Sequence, residues 1–199
     1  MIYSDTYKYV FLANGKTGTR TIYDVLTNEF RGIRGTDHTT NIPSKMINFF
    51  KFVSVRNPYT RAMSIYISNV IDGTKDTYGY RAAMKGMEIN LYNFLQLARY
   101  KINTITQAAY LQHELNAIIE YENLEKDFNN LPFVTEYVKL PKNNVSGFFT
   151  LENDKIIQNC DIQTNLKNYS IELTAESITL INEIFYNDFQ ILSKYEMIK

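Results

Sequence analysis

A chain of 199 residues and 23.3 kDa suits one well-buried domain and leaves no room for two large ones. Its 21 Lys and Arg balance 21 Asp and Glu, and that zero formal charge argues against a general nucleic-acid binder, which carries a strong basic excess. Hydrophobic residues at 45% and charged residues at 21% exclude a disordered chain, and the single cysteine, Cys160, excludes an intrachain disulfide or a cysteine-based zinc cage.

The first predicted element is a buried strand over Tyr9–Ala13, a short apolar run with no small-residue cleavage site after it. No stretch reaches the roughly 18 consecutive apolar residues of a spanning helix. Neither a signal peptide nor a membrane anchor is therefore expected, and a reducing cytoplasm is the expected compartment. The strand runs into Asn14-Gly15-Lys16-Thr17-Gly18-Thr19-Arg20-Thr21 and then a helical pattern through Phe30. A strand–loop–helix unit of this composition suits an anion. Gly15 and Gly18 permit a tight turn, the helix N-terminus offers N–H donors, and Lys16, Thr17, Thr19, Arg20 and Thr21 add side-chain donors. The Walker A pattern is not met, because its first glycine would fall at Val10.

A second buried strand is predicted over Phe49–Val55, followed by Arg56, an N-cap at Asn57, Pro58 at the first helical position, and a helix through Ile71. Arg56 at the strand end and Ser64 two turns into the helix can both address a second phosphate beyond the carboxyl end of the sheet. Arg56 also stands where a magnesium-binding acid would be expected in an NTPase of this class, which disfavours a P-loop phosphotransferase. Residues 77–115 read as mostly helical, with Tyr92–Tyr100 the clearest amphipathic piece. A third strand is predicted over Ala117–Tyr121, then a helix over Leu124–Leu131. A single closing helix is predicted from a Thr174 cap through Ile178, Ile181, Ile184, Phe185, Phe189 and Leu192. Strands alternating with helices make the expected fold α/β: a helix-rich three-layer sandwich on a small, mostly parallel central sheet, with a P-loop-like phosphate-binding loop after the first strand and a single domain over residues 1–199.

Charge is unevenly placed along the chain. Residues 1–61 carry a net +5 and the remainder −5, in keeping with an anionic ligand near the N-terminal region. No His, Asp or Glu cluster has metal-ligand spacing, so no metal is expected.

Together, Lys16–Thr21 and Val55–Tyr66 resemble the two cofactor-binding motifs of sulfotransferases. The branch that contains the heparan sulfate 2-O enzymes is the closest in pattern. Three further stretches follow in the family's order: Glu120–Phe128, Leu140–Ser146 and Phe185–Phe189 with Tyr195. The resemblance implies a sulfotransferase that uses 3′-phosphoadenosine 5′-phosphosulfate (PAPS) and releases 3′,5′-ADP. It implies that Gly15, Lys16, Thr17, Gly18, Thr19, Arg20 and Thr21 hold the 5′-phosphosulfate and that Arg56 and Ser64 hold the 3′-phosphate. Asn144 and Ser146 would lie over the nucleotide. Lys16 would stabilise the bridging oxygen, and His38, between the two motifs, would be the general base, ahead of His113. Gln107 and Glu122 are further site candidates. The acceptor implied is a hydroxyl compound, a saccharide in this branch, with neither nucleic acid nor membrane as partner. The chain departs from the family at Gly15, where proline is usual, and at Arg20, where Ser or Thr is common. The rival readings are the nucleotide phosphotransferase and a non-catalytic nucleotide-binding module of the same fold.

Overall fold

The computed structural model describes residues 1–37, 39–71, 79–100, 106–141, 148–152, 155–159 and 170–195. The chain divides into two compact units. The first is built from residues 1–56 and 107–144, the second from 57–106 and 145–199.

The first unit carries a five-stranded sheet of β1 (Ile2–Ser4), β2 (Tyr9–Leu12), β3 (Ile33–Arg34), β4 (Phe50–Val55) and β5 (Ala117–Glu120), in the order β3-β1-β2-β4-β5. β2, β4 and β5 are parallel, with Leu12 opposite Val53 and Val55 opposite Glu120. β1 and β3 extend this parallel triplet in antiparallel fashion. Every residue of β2 is buried, which is why it reads as an unbroken apolar run and not as an alternating one. β1 and β3 escaped sequence reading because two or three residues carry no usable period.

Two helices belong to this unit's apolar cluster: α1 (Thr19–Glu29) and α6 (Leu124–Asn129). Ile22, Tyr23, Val25 and Leu26 of α1 join Tyr9, Phe11, Phe52, Ile119 and Phe128 in one buried group. In the absence of tryptophan, packing rests on phenyl and phenol rings. Phe133 stacks on Tyr9 at 4.7 Å and lies within 6 Å of Phe30 and Phe52, while Phe11 and Phe52 are 5.0 Å apart. Such pairs add about 0.5–1.5 kcal/mol beyond the area they bury. Past α6 the chain is held by side-chain amides and acids. Asn129 donates to the Val138 carbonyl at 2.9 Å and accepts its N–H at 2.7 Å, and Glu125 accepts the Leu140 N–H at 3.0 Å. A short helix, α5 (Ala108–Leu111), also belongs to this unit.

The second unit is helical, with a three-stranded antiparallel sheet of β6 (Phe148–Glu152), β7 (Lys155–Asn159) and β8 (Ser170–Glu172), which the sequence reading did not anticipate. α2 (Pro58–Tyr66) begins as expected: Asn57 accepts the Tyr59 N–H at 2.9 Å and Pro58 occupies the first turn. It then passes into a π-helical turn over Ile67–Ile71 instead of running on as α-helix. α3 (Tyr80–Ala83) and α4 (Leu91–Ala98) supply Tyr80, Phe94 and Leu95 to a core shared with Met63, Tyr66 and Ile181.

The predicted closing helix is corrected to two, α7 (Ala175–Ile184) and α8 (Tyr186–Lys194). Thr174 caps the first as expected. The break falls at Phe185, whose ψ of 19° leaves the helical range. Neither Gly nor Pro marks it, so the apolar periodicity runs through undisturbed. The cause is tertiary: the Phe185 ring is buried, and Asp188, also buried, faces Arg61 of α2 across 3.9 Å. Removing one partner of such a pair strands a charge away from water. Asp188→Ala should lower unfolding free energy by about 3–5 kcal/mol in urea titrations of the purified protein. A loss below about 1 kcal/mol would place the pair among the weak surface kind.

Candidate active site

β2, β4 and β5 end at the same edge of the sheet, and the residues that follow them gather there: Asn14–Gly18 after β2, Arg56 after β4, and Tyr121 after β5. In open α/β sheets the carboxyl edge is where ligands bind.

The loop after β2 is tied down from within. Asn14 and Thr17 are fully buried. The Asn14 carbonyl accepts the Thr17 hydroxyl at 2.7 Å and the Thr19 hydroxyl, and the Thr17 hydroxyl also pairs with that of Ser54 on β4 at 2.7 Å. The Thr17 side chain therefore faces the sheet, and what it can offer a ligand is its backbone N–H. The sharp turn is made at Lys16 (φ 66°) and Gly18 (φ 79°), whereas the sequence pointed to Gly15 and Gly18. A lysine in the left-handed region costs about 1–2 kcal/mol relative to ordinary backbone, and such residues concentrate where a ligand site requires an unusual backbone path. Gly18 has a separate reason to be glycine: a Cβ there would stand 3.0–3.1 Å from Leu124 and Tyr121.

α1 starts at Thr19 with no side-chain cap and no acid in its first turn, and its ladder opens with Ile22 N–H donating to the Gly18 carbonyl. The N–H groups of Thr19, Arg20 and Thr21 thus precede the ladder, at the positive end of the helix dipole. The Arg20 side chain is exposed on this turn, the Thr21 side chain is buried, and Gly15 and Lys16 are partly buried.

Arg56 is only 2% exposed. Its guanidinium lies over the Tyr121 ring at 4.0 Å and its Nη1 reaches the Lys16 carbonyl at 3.5 Å. Burial lowers its pKa, opposed by Tyr121 and Glu122, yet a guanidinium keeps its proton in proteins. Its main chain is held by Gln107, fully buried: Gln107 Oε1 accepts the Arg56 N–H at 2.9 Å and Nε2 donates to the Arg56 carbonyl at 2.8 Å. The donor set is thus cationic and N–H-rich, with no acid on the loop. It fits a phosphate or sulfate group.

Lys16, Thr17, Gly18, Thr19, Arg20, Thr21 and Arg56 share the first unit with Gln107 and the exposed Glu122. Ser64 is buried on α2 in the second unit. His38, Asn144, Ser146 and Cys160 lie outside the described residues. His113 lines a cavity of about 470 Å³ with Thr40, Asn41, Ile47 and Lys51. Nearby Asn116 bonds to both main-chain groups of Lys51, and Lys51 is five strand positions before Arg56, about 16 Å of β-strand. His113 therefore sits toward the far end of β4 from the loop after β2. Tyr121 and Asn14 had drawn no site assignment from the sequence, and a ring or amide directly after a strand is too common a signal to find them. Among the described residues no group of three or more His, Cys, Asp or Glu could hold a metal, and no helix is long and apolar enough to cross a membrane.

The model of the Sulfotransferase family matches residues 13–196. No curated protein and no solved structure matches the chain.

Gly18→Ala forces a Cβ into a left-handed position and against Leu124. It should cost about 1–3 kcal/mol of stability, read as a lowered urea midpoint at unchanged slope. An unchanged midpoint would mean the loop can repack around the methyl group.

Proposed function

The chain belongs to the sulfotransferase family, and on that premise we propose that it moves a sulfuryl group from PAPS to a hydroxyl of a carbohydrate-like acceptor by in-line displacement. The observation that carries the proposal is the pairing of an acid-free, N–H-rich loop at Lys16–Thr21 with the buried, stacked Arg56 at one edge of the parallel strands. Two separate anion-binding features on one edge suit a nucleotide with phosphates at both ends of its ribose. Gly15, Lys16, Thr17, Gly18, Thr19, Arg20 and Thr21 are assigned to the 5′-phosphosulfate, and Arg56 with Ser64 to the 3′-phosphate. Asn144 and Ser146 are assigned to the nucleotide's outer side, and the two units are read as one catalytic domain over residues 1–199. A cytoplasmic setting goes with this reading, the single cysteine being in keeping with a reducing compartment.

In the reaction the bond from sulfur to the 5′-phosphate oxygen breaks as the bond from sulfur to the acceptor oxygen forms. The acceptor proton passes to a base, assigned to His38. Charge grows on the departing phosphate, and Lys16 is assigned to neutralise it, aided by the loop N–H groups. No step requires a metal. The saccharide class of acceptor rests on the likeness of Lys16–Thr21 and Val55–Tyr66 to the carbohydrate branch. Transfer of labelled sulfate from PAPS to a panel of saccharides, phenols and alkyl alcohols tests it: label in saccharide supports the reading, and label confined to phenols or alcohols removes the carbohydrate assignment.

Arg56→Ala should weaken binding of 3′,5′-ADP by about 1.5–3 kcal/mol, the worth of a charge-assisted hydrogen bond, while affinity for 5′-AMP stays nearly constant in calorimetric titrations. Equal losses for both nucleotides would remove Arg56 from the 3′-phosphate.

Lys16→Ala should depress kcat by about a hundredfold or more, with a smaller effect on KM for PAPS, because its charge acts on the transition state more than on the ground state. Near-normal kcat would hand the role to another cation, Arg20 first.

A further inference from the structure

Arg56 stands just beyond the last paired residue of β4: the ladder to β5 ends at Val55 opposite Glu120. At that point the Gln107 carboxamide takes over. Its Oε1 accepts the Arg56 N–H and its Nε2 donates to the Arg56 carbonyl, so a side chain from 51 residues away bonds the Arg56 main chain as a neighbouring strand would. The same Oε1 accepts Asn14 Nδ2 at 3.3 Å, and the Asn14 carbonyl in turn anchors the hydroxyls of Thr17 and Thr19. One buried amide therefore touches both the root of the phosphate loop and the root of the arginine.

We propose that Gln107 is a positioning residue for the donor nucleotide: its amide fixes the Arg56 backbone relative to the loop, and so sets how strongly the site prefers a 3′-phosphorylated nucleotide over its 3′-hydroxyl counterpart. The proposal rests on the reading of Arg56 as the 3′-phosphate ligand. The Arg56 side chain is long, and small rotations about its backbone swing the guanidinium by ångströms. Stacking on Tyr121 limits the plane of the guanidinium, while Gln107 limits where the chain enters it. Gln107 is fully buried and bonds the main chain of Arg56, which sets its role apart from that of the residues assigned to bind.

Two variants test this, each titrated with 3′,5′-ADP and with 5′-AMP against the wild type. Gln107→Met keeps the volume and removes both main-chain bonds. Gln107→Glu keeps the shape: its carboxylate repels the Arg56 carbonyl, and its protonated acid can donate to it, restoring the pattern of the amide. Burial favours that protonated form. The expected result is a loss of about tenfold in affinity for 3′,5′-ADP in Gln107→Met, with 5′-AMP changed less than about twofold. In Gln107→Glu the preference for 3′,5′-ADP, normalised to wild type at each pH, should return as the pH is lowered through the titration of the introduced acid. A merely structural role would not produce that selective, pH-reversible loss. A Gln107→Met variant that keeps the wild-type preference, or that loses both nucleotides equally, overturns the role of Gln107 alone. Should neither variant fold, Gln107 is a determinant of the fold and the proposal falls. A wild type that does not prefer 3′,5′-ADP overturns the donor reading beneath it.

Discussion

The parallel register of β2, β4 and β5 is the constraint on which the first unit depends. With Leu12 beside Val53 and Val55 beside Glu120, the three strands surrender their chains at one edge. A slip of one residue would turn every side chain to the other face and remove Tyr9, Phe11 and Phe52 from their shared cluster. The aromatic packing therefore does more than stabilise the sheet. It sets the phase at which the strands end, and hence the spacing between the loop after Leu12 and the guanidinium after Val55.

Within that spacing the molecule accepts a buried cation. An isolated guanidinium in an apolar site would carry a large desolvation cost. Here the Tyr121 face, the Lys16 carbonyl and the nearby Glu122 each offset part of it. Tyr121 serves twice, because its ring edge also crowds the position where a Gly18 side chain would be. The junction of β5 and α6 thus packs against both the loop after β2 and the Arg56 guanidinium.

Much of this was legible in the residues and some of it was not. β2, β4 and β5 announced themselves as apolar runs, and Asn57-Pro58 marked the start of α2, since buried strand positions and capping leave local traces. The loop after β2 and Arg56 after β4 lie at one edge of the sheet, where strand-end logic put them. The left-handed turn at Lys16 was not legible, because Gly15 is the more permissive residue and only the tertiary ties of Thr17 and Thr19 to Asn14 decide which residue bends. The Gln107 bridge spans 51 residues, beyond any local pattern. The division of the last helix at Phe185 is likewise decided by what it packs against. The strands of β6–β8 lie in a stretch of mixed composition with no clear alternation.

The first unit is discontinuous in sequence, and this bears on how the chain acquires its shape during synthesis. When residues 1–56 have emerged, β4 has β2 on one side and a bare edge on the other, since its second neighbour lies more than sixty residues ahead. An unpaired apolar edge is a template for association with other chains, and parallel pairing across so long a separation is slow because loop closure precedes any gain. The intervening helical segment is made during that interval. Nascent chains halted between Arg56 and Ala117 would be the aggregation-prone species, and a chaperone that shields strand edges would act in that window.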